Sequence, residues 1–111
     1  MHPGGEPRRP YVQTELEGAP GPFVAVSDWM RAVPDVLSRW VPGDYTSLGT
    51  DGFGRSDTRQ AVRSFFEVDA PHLVVAVLAS LAAQGEVKHE LVAEAIAAHG
   101  IDPDVAPPWT R

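Results

Sequence analysis

Four apolar residues in a row, Phe23-Val24-Ala25-Val26, stand between the breaker cluster Gly18-Ala19-Pro20-Gly21-Pro22 and the polar pair Ser27-Asp28. A short apolar run bounded in this way is the pattern of a strand covered on both faces in a parallel sheet. Ser27-Asp28 end the strand and can cap a helix. Beyond them Trp29, Val33, Val36, Leu37 and Trp40 recur at spacings of three and four, which predicts a helical stripe facing the core. Pro34 lies inside that stripe, so the helix kinks there or starts afresh. Pro42-Gly43 stop it, and residues 44–49 (DYTSLG) are rich in β-formers, a second strand running into a glycine loop.

The second half of the chain reads as helices. Ser56 or Asp57 can cap one with Ala61, Val62, Phe65 and Phe66 on one side and Arg59, Gln60 and Arg63 on the other. Asp69 caps the next, with Pro71 tolerated in its first turn. There Leu73, Val74, Ala76, Val77, Leu78 and Leu81 leave almost no polar face before Gln84-Gly85, which predicts burial on more than one side. A last helix spans about Val87 to Ala98, and Gly100 is placed to end it in a left-handed cap. At the other end, residues 10–17 suit a short helix with Pro10 at its first position and Gly18 beyond it. The organisation is an irregular arm over 1–22, an α/β body over 23–100 and a proline-rich tail over 101–111. A strand, a helix and a second strand imply a parallel pair. Two strands cannot cover the apolar faces of these helices, so either the sheet is completed from outside or the domain is small and unusual; exposed apolar surface and self-association of the isolated chain are expected.

Composition narrows the function classes. The net charge of −6, with no basic run longer than Arg8-Arg9, argues against a nucleic-acid partner. The absence of cysteine removes disulfide and thiolate chemistry and suits a cytoplasmic location. No run of eighteen apolar residues and no signal-peptide core are present, so neither a membrane nor secretion is expected.

The richest candidate for chemistry is the loop Gly49-Thr50-Asp51-Gly52-Phe53-Gly54-Arg55-Ser56-Asp57, between the second strand and a helix. Its glycines fall as G-x-x-G-x-G, which matches neither the dinucleotide fingerprint nor the Walker loop. An anion could still meet Arg55, Arg59 and the free N–H groups of the following helix; otherwise the loop is a tight connection whose glycines take positive φ. His89-Glu90 lacks a second histidine one turn on, His72, His89 and His99 lie on different helices, and Asp51 and Asp57 miss the calcium-loop spacing. No catalytic, cofactor or metal residue is therefore assigned. Trp29 and Trp40 are explained by packing on the core stripe. Trp109, an aromatic in a proline-rich tail, needs a surface to dock on, in its own domain or a neighbouring one.

Phe23-Val24-Ala25-Val26-Ser27-Asp28-Trp29-Met30, Trp40-Val41-Pro42, the string from Tyr45 to Asp57, Phe65-Phe66-Glu67-Val68-Asp69-Ala70 and Ile101-Asp102 together resemble the carboxyl-terminal domain of the homodimeric pyruvate dehydrogenase (acetyl-transferring) decarboxylating subunit. A shorter likeness, a glycine followed by Phe53-Gly54 and Ser56, joins it to transketolases. The resemblance runs from about Pro10 to near the end. It implies a three-layer α/β/α domain with a mostly parallel sheet, here incomplete. It also implies thiamine diphosphate and Mg²⁺ in the parent enzyme, between two preceding domains at the dimer interface. There the cofactor attacks pyruvate, carbon dioxide leaves, and the acetyl unit passes to lipoyl groups of the dihydrolipoyl acetyltransferase component. The chain has no G-D-G with a downstream Asn to hold the diphosphate and magnesium, so no cofactor is expected on it. Its implied partners are the remainder of its subunit, a second protomer and the acetyltransferase. The expected role is that of a carboxyl-terminal fragment, structural and inactive alone; a free-standing interaction module and a small anion-binding protein are the alternatives.

Overall fold

A computed structural model describes residues 2–111. Two strands, β1 (Phe23–Val26) and β2 (Tyr45–Leu48), pair in parallel with Phe23 opposite Tyr45 and Val26 opposite Leu48. Side chains alternate across a strand, and the two faces of β2 meet different helices. On one face Thr46 Oγ1 lies 3.3 Å from Ser80 Oγ of the long helix Ala70–Ala83. On the other, Tyr45 Oη donates to Pro34 O at 2.8 Å and Ser47 Oγ donates to Asp35 Oδ1. The result is helix, sheet and helix in three layers, as the resemblance implies.

In chain order the α-helices are α1 (Tyr11–Glu15), α2 (Ala32–Asp35), α3 (Arg59–Phe65), α4 (Ala70–Ala83) and α5 (His89–Ala98), with 3-10 turns at Ser38–Trp40 and Pro108–Thr110. α1 is shorter than the 10–17 read from sequence, and Pro10 takes the N-cap position. The predicted stripe from Trp29 to Trp40 is corrected more deeply. Pro34 falls in a four-residue helix followed by a separate 3-10 turn, and Trp29 (71% exposed) and Val36 (62%) face outward. Helical spacing alone does not say what covers a stripe, and among the described residues nothing covers Trp29 or Val36.

α4 is packed from two directions, by the sheet and by α5. Only Ala82 is fully buried on it, so the nearly continuous apolar surface expected to be covered is half exposed. Asp69 caps α4 as read, its Oδ1 accepting from His72 N at 3.2 Å. By length and composition Arg59–Ala83 is apolar enough to cross a membrane, yet it is two helices, the longer having 14 residues. At 1.5 Å per residue that spans about 21 Å, short of a hydrocarbon core.

The break between α3 and α4 is a Schellman turn: Val68 N donates to Arg63 O at 2.9 Å and Glu67 N to Ser64 O at 3.1 Å. The same turn closes α4 at Gly85 (φ 77) and α5 at Gly100 (φ 64), the latter as sequence predicts. After α3 the left-handed position is held by Glu67 at φ 60, where glycine is the usual occupant. A residue kept at that cost requires fixing by its surroundings, and its carboxylate provides it, as described below.

The fully buried apolar set is small, comprising Phe66, Val68 and Ala82 with Pro108. The radius of gyration is 16.9 Å, against about 13 Å for a compact domain near this length. The accessible surface is 8048 Å², against about 6,000 Å² for a compact protein of this mass. The extended arm accounts for part of that excess. The rest includes large apolar side chains that an isolated domain ordinarily covers, which fits an incomplete α/β domain.

Candidate functional site

The loop from Gly49 to Asp57 leaves the carboxyl end of β2 and passes directly beneath the backbone of residues 29–31. A Cβ on Gly49 would sit 2.6 Å from both Arg31 N and Trp29 O. Glycine is required there for close approach rather than for its φ. Thr50 then fastens the loop twice, its N–H donating to Trp29 O and its hydroxyl to Asp28 O, both at 2.9 Å. Asp51 receives Arg31 from two directions: Oδ1 accepts from the backbone N at 2.9 Å and Oδ2 from Nε at 2.5 Å.

Past Asp51 the loop meets the tail. Gly52 takes φ 106, and a Cβ on it would lie 2.9 Å from Trp109 Cα. The guanidinium of Arg31 lies 5.1 Å from the Trp109 ring centroid, so one arginine joins loop and tail. Trp109 thus docks on its own domain while staying 52% exposed. Arg111 completes the strap, donating from Nη2 to Phe65 O at 2.9 Å and to Glu67 Oε1 at 2.7 Å. This ion pair holds the left-handed Glu67. Two guanidinium groups, of Arg55 at 3.8 Å and Arg111 at 4.8 Å, lie over the Phe65 ring.

The remaining loop residues correct the sequence reading. Only Gly52 of the three glycines takes positive φ, and a Cβ on Gly54 would meet nothing. α3 is capped by Thr58, whose Oγ1 accepts from Ala61 N at 3.2 Å, rather than by Ser56 or Asp57. Asp57 Oδ1 instead accepts from Thr58 N at 2.6 Å. Arg55 and Arg59 do not converge: Arg55 lies on Phe65, whereas Arg59 lines a cleft with Asp28, Asp57 and Arg63. Two carboxylates beside the arginines make that cleft a poor anion site. Phe53, at the tip, is 93% exposed.

Sequence reasoning missed Arg31, Glu67 and Arg111, because each partner lies far along the chain or is a backbone atom. The one signal was Trp109, whose need for a surface is met by this loop. His72 and His99, read as scattered, line one open groove with Glu67, Asp69, Asp102 and Arg111. Among the described residues no group of three or more His, Cys, Asp or Glu is arranged to hold a metal ion.

Burial pushes the Asp51 carboxyl up, but the hydrogen bonds from the Arg31 side chain and backbone outweigh it and leave the pKa below the ordinary value. Asp69 behaves alike, burial being outweighed by His72. A depressed carboxyl adds stability above its unfolded pKa of about 3.9, and that contribution fades as pH falls through the folded value. Asp51→Asn is therefore expected to cost about 1 kcal/mol at pH 7, and the two melting curves to converge as pH falls through the depressed folded value of the carboxyl. Thermal melts across this range check it; a gap that persists in acid would show that charge is not what Asp51 contributes.

Helical layers around a parallel pair, with a glycine loop held by packing and ion pairs, define an incomplete α/β domain. Residues 6–69, more than half of the chain, match the family described as Transketolase-like TK C-terminal domain, and the chain belongs to that family. It is similar to proteins named "Pyruvate dehydrogenase E1 component". That of Mycolicibacterium smegmatis is 52% identical over 101 residues, covering 91% of this chain and 11% of the relative. That of Mycobacterium tuberculosis is 51% identical over 107 residues, covering 96% and 12%. That of Pseudomonas aeruginosa is 48% identical over 105 residues, covering 94% and 12%. The chain thus spans about 12% of the length of these curated relatives.

Proposed function

We propose that this chain acts as a carboxyl-terminal scaffold part of a pyruvate-decarboxylating E1 subunit, contributing to assembly and not to the chemistry. The observation that carries this reading is the agreement, at about half identity over nearly all of its residues, with one small portion of E1 components. In this reading pyruvate decarboxylation, the homodimer and acetyl transfer to the lipoyl groups of the dihydrolipoyl acetyltransferase belong to the whole subunit, which works in the cytoplasm. Thiamine diphosphate with Mg²⁺ supplies the carbanion chemistry there.

The residues of this chain do not fit that cofactor. A diphosphate needs several converging, unengaged donors, but Arg31 is taken by Asp51, and Arg55, over Phe65, does not converge with Arg59. The first turn of α3 is capped by its own Thr58.

The test is a chimera of the Mycolicibacterium smegmatis relative in which the matched portion is replaced by this chain. The chimera is expected to assemble and to decarboxylate pyruvate when given thiamine diphosphate and Mg²⁺, while the isolated chain does neither. Turnover by the isolated chain, or a chimera that never assembles, would overturn the reading.

A further inference from the structure

We propose that Trp29, Met30, Phe53 and Trp109, rimmed by Arg31 and Arg55, form one docking surface whose occupant is the remainder of the longer subunit. This rests on the reading above and adds to it the place of contact. The four apolar side chains are 71%, 54%, 93% and 52% exposed. Their segments are linked through the glycine loop. Thr50 hydrogen-bonds Trp29 O, Asp51 holds Arg31 next to Met30, and Gly52 lies against Trp109 one residue before Phe53. Segments distant in sequence are thereby presented together.

Three properties distinguish this surface from incidental exposure. Its composition of aromatics, methionine and arginine is that of the central part of protein interfaces. Its backbone is already ordered by the Arg31–Asp51 pair and the close approaches at Gly49 and Gly52, so docking loses little conformational freedom. Its setting is that of a part: the chain spans about 12% of the length of its relatives, so the rest of such a subunit would be covalently joined to it. A permanent neighbour is what the rest of a subunit is. Arg55 stacks on Phe65 and forms no ion pair among the described residues, so its N–H edge remains for a carboxylate. The occupant is accordingly an apolar pocket for Phe53 with an acidic group at its rim.

The experiment places Phe53→Asp, and separately Trp29→Asp, in the chimera and in the isolated chain. The expected result is an assembled chimera whose decarboxylation falls at least tenfold with either substitution, while the melting temperature of the isolated chain stays within about 2 °C. Substituted chimeras that keep full activity and assembly overturn the docking surface while leaving the family role intact. Loss of the isolated chain's melting transition overturns it too, by making these residues part of the domain's own fold. Self-association of the isolated chain that Phe53→Asp abolishes, with the chimera unaffected, makes a second copy the occupant and overturns it as well. An unsubstituted chimera that does not assemble removes the underlying role, and the proposal with it.

Discussion

Gly49→Ala should lower the stability of the isolated chain by about 3 kcal/mol, a fall in melting temperature of about 12–20 °C. The added methyl meets backbone on both sides, Arg31 N and Trp29 O at 2.6 Å. Backbone cannot rotate away as a side chain can, so the loop must lift from residues 29–31. The hydrogen bonds of Thr50 and the Asp51–Arg31 pair go with it. Gly54→Ala, two glycines further along the same loop, is the control. It meets nothing within 4 Å and its φ lies outside the left-handed region. There the substitution is expected to be neutral or to stabilise by about 0.5 kcal/mol through the unfolded state. Differential scanning calorimetry of both variants separates a packing role from general sensitivity of the loop; equal losses would refute it.

Phe66→Ala is expected to cost about 3–4 kcal/mol, enough to leave a chain with so small a core partly unfolded at 37 °C. Phe66 is 4% exposed and meets Phe65 edge-on, their centroids 5.0 Å apart. Its removal opens a cavity beneath both the α3–α4 corner and the strap. Phe53→Ala removes an equal side chain that is 93% exposed, and should change stability by less than about 0.5 kcal/mol. Urea titration of the pair measures the contrast. A Phe53 effect as large as that of Phe66 would mean that the loop tip folds against this chain.

The contrast between these phenylalanines shows what the sequence carries. β1 and β2 were legible because Phe23–Val26 is an uninterrupted apolar run between breakers and Tyr45–Leu48 follows a proline-glycine stop. Asp69 and Gly100 were legible because capping is local: side chain and target lie within a turn. The stripe from Trp29 to Trp40 misled because helical periodicity reports a common side, not whether this chain contains the layer that covers it. Thr58 displaced Asp57 as the cap by one residue, a shift local propensity does not resolve. Glu67 in the left-handed position gave no signal, since only its Arg111 partner explains it.

The loop itself was legible as an identity and not as a mechanism. Its glycines lie between a strand and a helix, as those of a phosphate loop do, but not at that spacing, and spacing cannot tell a glycine that frees φ from one that lets two backbones touch. Gly52 is the first kind and Gly49 the second. The resemblance, by contrast, used the entire string from Tyr45 to Asp57, and the family match agrees with it over residues 6–69.

That the loop is a clamp between strand, helix and tail, rather than a ligand cradle, is tested most directly by following its amides by nuclear magnetic resonance while thiamine diphosphate and Mg²⁺ are added. The resonances of Gly49 to Asp57 should stay in place up to millimolar cofactor. Saturable shifts confined to Gly52 through Asp57 would contradict the account.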